Sequence, residues 1–102
     1  MKTYDKIVRD KIPQIIDNAG KKFDIHIVSD DEAISYLDTK LDEEVKEFHE
    51  DNNLEELADV MEILFSLAKK MGYSEDDLLN KRLEKKESNG GFDKNIILTK
   101  VY

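Results

Sequence analysis

The chain has 102 residues, room for one hydrophobic core, and 39% of them are charged against 39% apolar, which suits a helical protein with solvated outer faces rather than a disordered tail. A net charge of −8 sets it against a polynucleotide backbone, and the lack of cysteine excludes disulfides, thiolate nucleophiles and cysteine-ligated zinc or iron–sulfur centres. Met1 to Asp10 are polar and charged and no apolar run nears the roughly 20 residues that span a bilayer, so one cytoplasmic domain over 1–102 is expected, without a nucleic-acid polymer or a membrane as partner. So modest a core often gains stability by pairing with a second copy, and a homo-oligomer, dimer or tetramer, is expected.

In chain order, the spacing predicts a first helix from near Asp10, with Ile12, Ile15, Ile16 and Ala19 on one face and Gly20 as its left-handed stop. Pro13 is compatible with it, because an N–H in the first turn has no helical partner to lose. Phe23, Ile25 and Ile27 then alternate with Asp24, His26 and Val28, the period of a short half-buried strand. Ser29, Asp30 and Asp31 can cap a second helix, in which Ile34, Leu37, Leu41 and Phe48 recur, running to about Glu50. After Asp51, Asn52 and Asn53 comes the most apolar helix, with Leu54, Leu57, Ala58, Met61, Leu64, Phe65, Ala68 and Met71, ended by Gly72 and expected to be central. Ser74 and Asp77 resemble a capping box for a fourth helix carrying Leu78, Leu79 and Leu83 and dissolving before Asn89. The final run, Asn95 to Val101, has β character and is expected to pair with the Phe23 to Val28 segment. The expected fold is mainly α and four-helix bundle-like, with two short β segments at about 23–28 and 95–101.

The chemistry lies in the second and third helices. Glu44 with Glu47, and Glu56 with Asp59, are three apart and so neighbours on one helix face. If the chain reverses between Asp51 and Asn52, Glu47 opposes Glu56 and Glu44 opposes Asp59 across an antiparallel hairpin, and the four carboxylates converge. Glu44 also stands on the Leu37, Leu41, Phe48 stripe, and Glu56 and Asp59 on the stripe of Ile63 and Leu67. Carboxylates on apolar stripes are costly to ionise and repel one another, so a cation is the simplest resolution. With oxygen ligands alone, Mg²⁺ or Mn²⁺ is favoured over zinc, and open coordination positions would accept water and phosphate oxygens. Either E-x-x-E or E-x-x-D alone is a cheap coincidence among 24 acidic residues; their mirrored placement about a turn is rarer.

Glu44-Val45-Lys46-Glu47 followed by Glu56-Leu57-Ala58-Asp59 resembles the core motif of the MazG-like all-α nucleoside triphosphate pyrophosphohydrolases. Lys6-Ile7-Val8-Arg9-Asp10-Lys11-Ile12-Pro13 and Gly90-Gly91-Phe92 resemble the opening and closing segments of the small members described as phosphoribosyl-ATP pyrophosphohydrolase-like. The resemblance implies hydrolysis between the α and β phosphates, with Glu44, Glu47, Glu56 and Asp59 binding Mg²⁺ and one of them orienting or deprotonating water. Glu43 and Glu62 are read as surface.

Cations must meet the rest of a triphosphate. Arg9 and Lys11 sit at the entry to the first helix, whose N-terminal N–H groups also attract an anion, and Lys81 and Lys85 lie one turn apart on the fourth, which in MazG-like proteins carries phosphate contacts; a solvated face with Glu84 and Glu87 is the plainer reading of the latter pair. His26 and His49 are read as surface. Tyr4, Tyr36 and Tyr73 are able to stack on a base, although packing is the plainer reading. Two other functions stay open: phosphoribosyl-ATP hydrolysis in histidine biosynthesis, and a non-catalytic module whose acidic hairpin binds metal or docks a basic protein.

Overall fold

Helix boundaries in this chain are written into short polar side chains. The computed structural model describes residues 4–102 and contains four helices: α1 (Ile12–Asn18), α2 (Asp30–Asp51), α3 (Leu54–Lys70) and α4 (Glu75–Asn89). Ser29 caps α2 by accepting the Glu32 N–H at 3.2 Å, and Asn53 caps α3 by accepting that of Glu56 at 2.9 Å. Ser74 and Asp77 form the reciprocal capping box of α4, at 3.0 and 2.8 Å. The fourth helix runs through Asn89, slightly beyond its expected end. Only α1 lacks a side-chain cap, and it spans seven residues with Pro13 in its first turn.

Only Asn52 and Asn53 separate α2 from α3. Asn52 takes the left-handed conformation, φ 49° and ψ 48°, which asparagine tolerates better than most residues, and its N–H donates to the Phe48 carbonyl at 2.8 Å. The two helices therefore run back along each other as an antiparallel hairpin, the main packing unit, with α4 folded against α3. At the far end of the hairpin the Lys70 ammonium lies 2.9 Å from Asp30, joining the α3 C-terminus to the α2 N-terminus with the signs their dipoles favour. Being exposed, that pair contributes at most about 1 kcal/mol.

The core is small. Ala33, Leu37, Ile63 and Ala68 are its buried apolar residues, and among the described residues no large side chain is completely enclosed. The radius of gyration is 17.9 Å, against about 13 Å for a compact domain of this length. The stripe Leu54, Leu57, Met61 and Leu64 on α3 stays exposed, because α2 covers only the face bearing Ile63. The most apolar helix thus leaves one apolar face uncovered.

The two expected β segments, 23–28 and 95–101, are not strands; among the described residues there is no strand. Alternation makes a strand only where a neighbour takes its N–H and C=O groups and a core covers one face. Neither condition is met: Ile27 is 93% exposed, and Ile25, Ile96, Ile97, Leu98 and Val101 are exposed too. No helix of the described residues is long and apolar enough to cross a membrane.

Candidate functional site

The hairpin concentrates negative charge where its two helices face each other. One oxygen each from Glu44, Glu56 and Asp59 lie within 4.8 Å of one another, and Glu43, Glu44 and Glu47 make a second such trio, so Glu44 belongs to both. Helical spacing aims the side chains from each side, and the short Asn52-Asn53 link holds the two faces in register. Glu44 is only 8% exposed, since it sits on α2's apolar stripe with Leu37.

Burial and crowding act in the same direction. Glu44 is pushed above the ordinary carboxylate range by burial first and by the adjoining Glu47, with Lys40 opposing and Asp59 adding to the rise. Glu56 is pushed up by burial and by the charges of Glu47, Asp59, Asp51 and Glu55. One oxygen of each, Glu44 Oε2 and Glu56 Oε2, is buried without a hydrogen-bond partner. Such orphaned acceptors are costly unless something positive meets them. A hard divalent cation fits this set: the donors are all carboxylate oxygens, several converge, and two buried ones need a partner.

The cations divide into two groups. Arg9 donates from Nη2 to Asp59 Oδ1 at 2.7 Å, which brings the segment before α1 against the carboxylates. Lys11 is exposed at the N-cap of α1. On α4 the Lys81 ammonium pairs with Glu84 of its own helix at 3.2 Å, and Lys85 is exposed; among the described residues neither forms an ion pair with the carboxylates of the hairpin. Glu62, His26 and His49 lie at the exposed surface.

Three residues at the site were missed by the sequence reading. Glu43, read as surface, joins the trio with Glu44 and Glu47; Lys40 Nζ is 3.7 Å from Glu44 Oε1; Lys6 Nζ is 3.3 Å from Glu43 Oε1. Helical spacing carried the signal for two of them, because Lys40 precedes Glu44 by four residues and Glu43 precedes Glu47 by four. Lys6 had no such signal, since only the path of the segment before α1 brings it to α2.

Comparison with known proteins points the same way. An uncharacterized protein of Mycolicibacterium smegmatis (strain ATCC 700084 / mc(2)155) is 50% identical over 42 residues, which are 41% of this chain and 43% of that protein. The match therefore spans less than half of the relative's length. No solved structure matches the chain. The sequence model of the MazG-like family matches residues 27–102, a stretch that holds α2, the Asn52-Asn53 link, α3 and α4. Because that match takes in most of the chain and every carboxylate of both trios, the chain belongs to the MazG-like family.

Proposed function

We propose that the chain is a metal-dependent hydrolase that cleaves a nucleoside triphosphate, or a related nucleotide, between the α and β phosphates to give a monophosphate and pyrophosphate. Family membership supports a nucleotide hydrolase. The observation that carries the reading is the pair of buried, unpartnered oxygens of Glu44 and Glu56 within a group of converging carboxylates.

In this reading Glu44, Glu47, Glu56 and Asp59 hold Mg²⁺, with Mn²⁺ as an alternative. When bound, the ion withdraws charge from the phosphate oxygens and lowers the pKa of water. A carboxylate of the group takes the proton as water attacks the α-phosphorus. The bond from that phosphorus to the oxygen bridging to the β-phosphate breaks, and its electron pair leaves with pyrophosphate. Arg9, beside Asp59, meets the phosphate chain, and Lys11 follows it two residues later. Lys81 and Lys85, one turn apart on α4, are assigned to the outer phosphates, Lys81 by exchanging its exposed pair with Glu84 for the substrate.

We also assign the exposed α3 stripe of Leu54, Leu57, Met61 and Leu64 to a second copy of the chain. A core with four buried apolar residues among those described is thin for so extended a molecule, and these side chains recur on one face at helical spacing.

The test is pyrophosphate release from a panel of nucleoside triphosphates and phosphoribosyl-ATP with Mg²⁺, for the wild type and for Glu47→Ala and Asp59→Ala. Loss of at least about a hundredfold in each variant is expected. No turnover of any panel member, or equal turnover by the variants, would sink the proposal. Stabilisation by metal with no nucleotide binding would favour a non-catalytic module.

A further inference from the structure

A cleft of about 240 Å³ lies between the segment before α1 and the N-terminal half of α2, lined by Asp5, Lys6, Tyr36, Thr39, Lys40 and Glu43 among others. We propose that this cleft holds the base and sugar of the nucleotide whose phosphates meet the carboxylates. The inference rests on the hydrolase reading above.

Continuity is the first support. Tyr36, Lys40, Glu44 and Glu47 follow one another at spacings of four, four and three, so cleft and carboxylates occupy one face of α2. At 1.5 Å per residue, Tyr36 stands about 12 Å along the axis from Glu44, a reach suited to a nucleotide laid lengthwise. Two residues of the cleft wall also belong to the site: Lys40 Nζ is 3.7 Å from Glu44 Oε1, and Glu43 shares a trio with Glu44 and Glu47.

Size and charge select the end of the nucleotide. Pockets for whole drug-sized ligands run roughly 300–1,000 Å³, so this cleft suits part of such a molecule. Its charges cancel, Asp5 and Glu43 against Lys6 and Lys40, and Lys6 is already paired with Glu43 at 3.3 Å. An uncharged group that donates and accepts hydrogen bonds matches this wall better than a phosphate. The Tyr36 hydroxyl donates to Asp5 Oδ1 at 3.3 Å, which anchors the ring as a firm side of the cleft for a flat base. The Thr39 hydroxyl is spent on the Ser35 carbonyl at 3.2 Å, leaving its oxygen as an acceptor toward the cleft.

The experiment is calorimetric titration of the full chain with Mg²⁺ and two probes, the best nucleoside triphosphate of the panel under non-turnover conditions and inorganic tripolyphosphate. Tyr36→Ala should weaken the nucleotide about tenfold, the size of a lost base–aromatic contact, and leave tripolyphosphate within about twofold. Tyr36→Phe, which keeps the ring, should fall between. Ser35→Trp, at an exposed cleft position, fills the space without removing a packed side chain, and should reproduce the nucleotide-only loss. Equal weakening of both probes, or unchanged nucleotide binding by Tyr36→Ala and Ser35→Trp, overturns the assignment while the hydrolase reading stands. A wild type that binds tripolyphosphate but no nucleotide also overturns it, and one that binds neither overturns both.

Discussion

The α2–α3 hairpin and the 90–102 tail are both supplied with apolar residues at regular intervals, yet one packs and the other does not. In the hairpin, Leu37 and Ile63 are buried because each helix offers the other a stripe, and two asparagines hold the stripes in register. In the tail, Ile96, Ile97 and Leu98 face solvent because among the described residues no second strand or sheet meets them. Periodicity is therefore a proposal that a partner surface has to accept. The same comparison accounts for the site: Glu44 and Glu56 are strained toward protonation because they occupy positions in the accepted stripes that packing would give to apolar residues.

That contrast can be broken or sharpened by experiment. The largest expected effect on stability is at the hairpin, where Leu37→Ala should cost about 2–5 kcal/mol by urea unfolding. A loss below about 1 kcal/mol would show that the stripe is not the main source of stability. Next, Met61→Glu places a charge on the exposed α3 stripe and should shift the protein toward monomer in sedimentation velocity. A wild type that is already monomeric at high concentration would remove the second copy from that face.

Glu44→Gln should raise metal-free stability at neutral pH, by less than the loss at Leu37. The sign follows from linkage: the carboxyl is raised above the ordinary 4.5 in the folded state, so the unfolded chain releases the proton first, and stability falls as pH rises through and above that value. The gain in the variant should fade as pH drops below about 4.5, and Mg²⁺ should stabilise the wild type more than the variant. A variant less stable than wild type at pH 7 without metal would contradict the assigned burial cost. Smallest of all, Ile97→Ser should change unfolding free energy by less than about 0.5 kcal/mol, as expected of an exposed side chain.

Much of this was legible in residue order. Ser29, Asn53 and Ser74 announce three helix starts because a cap is made with a backbone N–H two or three residues away. The 44/47 and 56/59 spacings likewise place carboxylates on helix faces by local geometry alone. The strands failed because pairing is decided by distant residues, whereas Lys81 pairs with Glu84 three residues on, a contact that helical spacing already offers.

By itself the sequence determined whatever is settled within about a turn of chain: the helices, their capped ends, the asparagine link and the spacing of the carboxylates. The tertiary structure alone decided which faces are covered, that Glu43, Lys6 and Lys40 join the site, and that a cleft opens beside Tyr36. The reason is range: caps and helical spacing act between near neighbours, whereas burial and ion pairing depend on where residues tens of positions away come to rest.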